Sequence, residues 1–271
     1  MLKGRDIQSI AGKHKVSDSQ IEKDYVITWL LWGIAQIEAL HLNLVFKGGT
    51  VLKKAYFYDY RFSEDLDFTL TNADLSDVQI ITALTKAFEL IEEESGIQLK
   101  QSELDRHQSG SIALYIYFVG PLGGKMESKS VKVDITRGEK LLFKPIEHPI
   151  IVSYSDLSTE GFSLLCYPLE EIMVEKLVAL MGRTQPRDLY DIWYLLEEDS
   201  IELDFLKNEF AEKARHKGHN PENLVPTWNR KHKQFQSQWN HYLAHQIADL
   251  PEFDKVSRSV SRQLKAVFDE N

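Results

Sequence analysis

The feature that most constrains this chain is a pair of aspartates two residues apart, Asp65 and Asp67. They lie in the run Arg61-Phe-Ser-Glu-Asp65-Leu-Asp67-Phe-Thr-Leu70, shortly after a double glycine in Phe46-Lys-Gly-Gly-Thr50. Leu66 and Phe68 alternate with the aspartates, which reads as a strand with one apolar and one acidic face. Like charges side by side repel unless something positive sits between them. A divalent metal is the usual answer. Glycines opening a helix let backbone N–H groups come close to a phosphate. Together the two pieces read as a metal and nucleoside triphosphate site. Each alone has a plainer explanation: a double glycine is often a tight turn, and strand-end acids are often solvated.

Three further pieces join them. Ser63 adds a hydroxyl suited to a β- or γ-phosphate oxygen. Asp134 lies on a separate predicted strand, Val131 to Thr136, with Lys132 two residues earlier on the same face. A third carboxylate beside Asp65 and Asp67 would complete a site for magnesium, with two ions possible, or would act as a base on an attacking hydroxyl. Lys132 would pair with Asp134 or touch a phosphate. The plain alternative is a surface strand of alternating charge. The last piece is helical: Glu175-Lys176-Leu177, then Arg187-Asp-Leu-Tyr-Asp191. Asp188 and Asp191 share one helix face and could meet Lys176 across a helix pair. That is a held lysine for a triphosphate, or a structural ion-pair network.

The 271 residues, 43% hydrophobic and 27% charged, suit an ordinary globular protein. No signal peptide is evident, and the longest apolar stretch, Val26 to Ala39, is too short and too polar to span a bilayer. A cytoplasmic protein with no membrane partner is expected. The single cysteine, Cys166, stands among leucines and reads as a buried structural thiol. A net charge of −9 argues against a globally basic nucleic-acid binder but not against a local basic groove.

Along the chain, a short helix within residues 1–16 precedes Ser17-Asp-Ser-Gln20, a capping box for a helix with Ile27, Leu30, Leu31, Ile34 and Ile37 on one face. Early in that helix, Glu22-Lys-Asp-Tyr25 is either a solvated first turn or a support for the site. A strand from Leu42 to Phe46 leads to the glycines, and Thr50 opens a helix to about Tyr58. The aspartate strand, expected from Phe62 to Leu70, is followed by a loop with cap character at Thr71-Asn-Ala-Asp74. Next comes an amphipathic helix showing Val78, Ile81, Leu84, Phe88 and Ile91. Strands over Ile97 to Asp105 and Ser111 to Val119 flank a turn at Gln108-Ser-Gly110, the second strand covered on both faces. Residues 137–167 read as irregular, with short strands at Ile150 to Ser153 and Phe162 to Cys166. From Pro168 the chain turns helical. The expected fold class is α+β: a mixed sheet flanked by helices over 1–160, then a helical bundle over 161–271.

With these residues in hand, the chain resembles the AbiEii family of nucleotidyltransferase toxins, in the DNA polymerase β-like superfamily. The matching pieces are Glu22-Lys-Asp-Tyr25, Lys47-Gly48-Gly49-Thr50, Arg61-x-Ser63-x-Asp65-x-Asp67-Phe68, Lys132-x-Asp134, Glu175-Lys176-Leu177 and Arg187-Asp-Leu-Tyr-Asp191. The resemblance implies a magnesium-dependent transfer of a nucleotide from an NTP. It implies that Gly48, Gly49 and Ser63 hold the triphosphate and that Asp65 and Asp67 hold the metal; Lys47, Thr50 and Lys132 are expected to add to the nucleotide site, and Asp134, at a position variable in the family, to the metal site. Lys176 is similar to the family's catalytic lysine, and Asp191 to the acid of its last motif. It also implies a toxin of a bacterial toxin–antitoxin or phage-defence system, a cognate antitoxin encoded alongside, and tRNA as the acceptor.

The acceptor is the least explicit part. Lys207, Lys213, Arg215, Lys217, Arg230, Lys231 and Lys233, with Trp228 and Phe235, offer basic charge interleaved with aromatics. They read as an RNA-binding stretch or as a solvated helix pair with its aromatics in the core. Two alternatives to RNA transfer stand: the same chemistry on a protein or small-molecule hydroxyl, and a nucleotide-binding regulator without catalysis.

Overall fold

In the computed structural model, residues 1–107, 110–157 and 161–269 are described. The chain divides into two compact units, Met1–Glu139 with Pro145–Cys166, and Lys140–Lys144 with Tyr167–Asn271.

The first unit holds a mixed sheet. Its helices are α1 (Gly4–His14), α2 (Asp18–Gln36), α3 (Glu38–His41), α4 (Gly48–Val51) and α5 (Asp77–Ser95). Its strands are β1 (Leu44–Lys47), β2 (Asp65–Leu70), β3 (Gln98–Gln101), β4 (Asp105–Arg106), β5 (Ile112–Val119), β6 (Ser130–Thr136), β7 (Ile146–Pro149) and β8 (Ser163–Cys166). Among the described residues the strand order is β3-β5-β6-β2-β1-β8-β7, with β4 also on β5. The β2–β6 and β1–β8 pairs are parallel; the others are antiparallel.

Leu66, Phe68, Val131, Val133, Ile135, Ile112, Leu114, Ile116 and Phe118 fill one face of this sheet and are buried. Helices α2 and α5 contact that side. They come so close that a Cβ on Gly33 of α2 would run into Ile91 of α5. Ser17 caps α2 by accepting from the Gln20 N–H at 3.2 Å.

Several expectations shift. Helix α5 is capped by Ser76, whose hydroxyl and Gln79 form the reciprocal box, not by Thr71–Asp74. Its buried face runs through Ile80, Ala83, Leu84, Ala87, Phe88 and Ile91, and Val78 is 73% exposed. The periodicity fits both faces near the helix start, and the cap position decides between them. Strand β5 is buried throughout one face, while on the other Ala113 is buried, Tyr117 and Val119 are half-buried and Tyr115 is exposed, so cover there is only partial. The strand expected at Ile150 to Ser153 is instead β7, Ile146–Pro149. Ile150 and Ile151 still donate backbone hydrogen bonds, to Phe162 and Lys54 carbonyls. The turn at Gln108-Ser-Gly110 falls partly outside the described residues. Cys166 is fully buried, which pushes its thiol up to about 12.

The second unit is helical: α6 (Leu169–Gly182), α7 (Pro186–Glu197), α8 (Lys207–His216), α9 (Leu224–Leu243) and α10 (Phe253–Phe268). Its core includes Phe210, Trp228, Phe235, Trp239, Val260 and Leu264. The indole N–H groups of Trp228 and Trp239 donate to the Ser261 hydroxyl and the Pro251 carbonyl, at 2.8 and 2.9 Å. Among the described residues no helix is long and apolar enough to cross a membrane.

Candidate active site

The sheet face opposite the apolar one carries charge in rows set by strand register. Register partners present their side chains to the same side. One row runs Lys47, Asp67, Asp134, Ala113 across β1, β2, β6 and β5. The next runs Asp65, Lys132, Tyr115 across β2, β6 and β5. The sequence-predicted acids Asp65, Asp67 and Asp134 therefore do share one face of neighbouring strands, and each is half-buried.

The glycine turn abuts this face. Gly48 has φ +79°, and a Cβ there would run into the Asp67 carboxylate. Only glycine both adopts this backbone freely and leaves that room. The helix starts at Gly48, two residues earlier than expected, and after Val51 widens into a π-helical turn, Leu52–Tyr56. The Thr50 hydroxyl donates to the Asp65 carbonyl at 2.5 Å, fixing the helix start to the aspartate strand. Ser63 is buried. Lys47 lies 3.7 Å from Glu139, an ion pair the sequence did not suggest.

Lys132 donates to Asp134 at 2.7 Å. Burial pulls its ammonium down, but the bond to Asp134 and the charges of Asp134 and Asp65 outweigh that and hold it above the ordinary lysine value. Among the described residues no three His, Cys, Asp or Glu side chains gather closely enough to hold a metal by themselves. Asp65 and Asp67 offer hard carboxylate oxygens of the kind magnesium takes. The room kept for Asp67 at Gly48 fits such a use, while Asp134 is engaged by Lys132.

Beneath the turn lies a buried polar cluster that sequence reasoning left half-seen. The wider π-turn brings Leu52, Lys53, Lys54 and Ala55 all inward. Lys54 donates to the Asp24 carboxylate at 2.7 Å and the Thr28 hydroxyl at 2.8 Å. Tyr154 donates to the same carboxylate at 2.7 Å. Burial works against a charged Asp24, but Lys54 and Lys53 more than offset it and hold its carboxyl below the usual range. Lys53 donates to the Tyr60 carbonyl at 3.1 Å, in the segment leading to Asp65. Lys23 pairs with Glu64 at 2.9 Å. Glu22 is fully buried and accepts from Lys129 and the Leu122 N–H. The solvated reading of Glu22-Lys-Asp-Tyr25 is thus wrong: α2 braces both the glycine turn and the approach to Asp65. The usable signal was the Lys53-Lys54 pair inside an otherwise apolar helix.

In the helical unit, Lys176 reaches Asp188 at 2.8 Å and Asp191 at 2.7 Å, all three side chains buried or nearly so. Arg183 clasps Asp188 through Nε and a terminal nitrogen at 2.7 and 3.0 Å. Burial opposes a charged Asp188, but Lys176 and Arg183 keep its carboxyl below the ordinary value. The basic stretch is partly structural. Lys213 is fully buried against Glu171 at 2.8 Å. Lys231 caps α6 by donating to the Leu180, Met181 and Arg183 carbonyls, each at 3.0 Å. Trp228 and Phe235 are core residues, so the aromatic half of the RNA-binding reading is corrected. Arg215, Lys217, Arg230 and Lys233 remain exposed.

A family profile described as nucleotidyl transferase AbiEii toxin of a type IV toxin–antitoxin system matches residues 29–264. Among solved structures, the chain is similar to MenT4, a nucleotidyltransferase toxin from Mycobacterium tuberculosis H37Rv. The TM-score is 0.69 at 17% identity, over 100% of this chain and 91% of that one. JHP933 from Helicobacter pylori matches with a TM-score of 0.57 at 16% identity, over 94% of each chain. These likenesses show the fold. No curated protein is a significant match.

Proposed function

Because the chain belongs to the AbiEii family of nucleotidyl transferase toxins of type IV toxin–antitoxin systems, we propose that it moves a nucleoside monophosphate from an NTP to an RNA hydroxyl, with tRNA as the acceptor. The observation that carries this reading is the acidic face beside Gly48, where the glycine turn abuts Asp67 on the strand that also carries Asp65. The acceptor oxygen bonds to the α-phosphorus, the bond to the β-phosphate oxygen breaks, and pyrophosphate leaves. The hydroxyl proton passes to a carboxylate of this face, the second role open to Asp134.

Asp65 and Asp67 would hold magnesium, one ion or two, and Asp134 would join them as third carboxylate only by turning away from Lys132. When bound, the metal would neutralise the triphosphate and the charge developing on pyrophosphate. Gly48 and Gly49 bring backbone N–H groups to the phosphates. Thr50, whose hydroxyl is committed to Asp65, contributes through its backbone. Ser63, Lys47 and Lys132 supply further phosphate contacts. On the family resemblance alone, Lys176 and Asp191 serve the same reaction, with Asp188 and Arg183 holding the lysine. By the same resemblance the toxin serves a toxin–antitoxin or phage-defence system, with its antitoxin encoded alongside; the buried free thiol of Cys166 fits action in a reducing cytoplasm.

Incubation with each radiolabelled NTP, magnesium and total tRNA tests this. Label should enter tRNA from at least one NTP; no incorporation from any would sink it. A second reading, transfer to a protein or small-molecule hydroxyl, gains from the burial of Trp228, Phe235 and Lys213. Neutralising Arg215, Arg230 and Lys233 separates the two. An RNA acceptor would lose affinity and salt dependence, a small one neither.

A further inference from the structure

The open face of the sheet does not end at its acids. In the row Asp65, Lys132, Tyr115, the outermost side chain is a large aromatic on a strand paired on both sides. Tyr115 is 45% exposed, whereas its neighbours Leu114 and Ile116 are buried. Two residues on, Tyr117 shares its face, is half-buried, and is the register partner of Lys100. Between Tyr115 and Asp65 in this row stands Lys132, which donates to Asp134 at 2.7 Å. Strands lie about 4.8 Å apart, so Tyr115 sits roughly two spacings, about 10 Å, from the Asp65 backbone. A single nucleotide covers that span between its phosphate and its base.

The acid, lysine, aromatic order matches a nucleotide laid across the strands: phosphates at the metal and lysine end, base over the ring. Resting on the nucleotidyl-transfer reading, we propose that Tyr115, flanked by Tyr117, is the stacking platform for an unpaired nucleobase. The base belongs either to the incoming NTP or to the terminal nucleotide of the acceptor RNA. Base–aromatic stacking tolerates every base, because each has a π-face. The platform therefore positions without choosing strongly among bases.

The test compares Tyr115→Ala, Tyr115→Phe and Tyr115→Trp in two assays: transfer kinetics, and equilibrium dialysis with each NTP and with a short unstructured RNA. Tyr115 is exposed, so all three variants should fold. Tyr115→Ala should raise KM for one partner roughly tenfold, with kcat changed by less than about twofold. Phe and Trp should keep near wild-type values. A KM rise for NTP assigns the base to the donor; a rise for RNA assigns it to the acceptor. Unchanged KM values and affinities in Tyr115→Ala overturn the platform. So does a Phe variant as damaged as Ala, since the hydroxyl would then be what matters. If wild type binds nucleotide through Tyr115 but transfers nothing, the platform stands and the transfer reading falls. If it neither binds nor transfers, both fall.

Discussion

At the residue scale, Gly48 is the position with least freedom. Its φ of +79° and the Asp67 carboxylate in its Cβ space exclude every side chain. Gly48→Ala is expected to abolish transfer and to cost about 1–3 kcal/mol of stability, read by nucleotide incorporation and a urea midpoint. Asp65→Asn should abolish transfer with the urea midpoint nearly unchanged, because the carboxylate is half-exposed. A midpoint that collapses instead would make Asp65 structural. These residues were legible because their chemistry is local: two acids at strand spacing and two adjacent glycines. Lys53, Lys54 and Tyr154 were not, because a π-turn cannot be read from helical periodicity. It turns consecutive residues inward where an α-helix would send one out.

At the element scale, the Asp24–Lys54 pair joins α2 to the π-turn, and both partners are almost wholly buried. Asp24→Ala leaves an ammonium without its carboxylate and should cost about 3–5 kcal/mol. The pH dependence follows from the direction of the shift. Asp24's folded pKa lies below its ordinary value. Its stabilising contribution is therefore complete above the unfolded carboxyl pKa of about 3.9 and is lost as pH falls through the folded value. Denaturant midpoints from pH 6 down to pH 2 should fall steeply in wild type, and more shallowly in Asp24→Asn. In the helical unit, Trp228→Ala should cost about 3–5 kcal/mol as a core truncation. An RNA-contacting tryptophan would instead lose RNA affinity at unchanged stability. The sequence suggested either role, since buried and base-stacking aromatics look alike on an amphipathic helix. Burial separates them only after packing. The misplaced strand near Ile150 has a similar cause: apolar residues there are held by isolated backbone bonds, while the ladder itself forms at the polar Ile146–Pro149.

For the whole molecule, the mixed sheet with flanking helices and the helical C-terminal part were readable from the change in hydrophobic period along the chain. Strand order was not. Nothing local says that β6 lies beside β2 in parallel, yet that pairing aligns Asp67 with Asp134 and Asp65 with Lys132. The overall charge is −9, and Lys54, Lys176 and Lys213 are buried in ion pairs with acids of their own unit. The central claim is that the Gly48 turn and the Asp65–Asp67 face transfer a nucleotide onto RNA. Intact-mass analysis of tRNA after incubation with each NTP and magnesium tests it most directly. Wild type should add the mass of one or more nucleoside monophosphates from at least one NTP, and Asp65→Asn none. An unchanged tRNA mass with every NTP, or equal addition by Asp65→Asn, would contradict it.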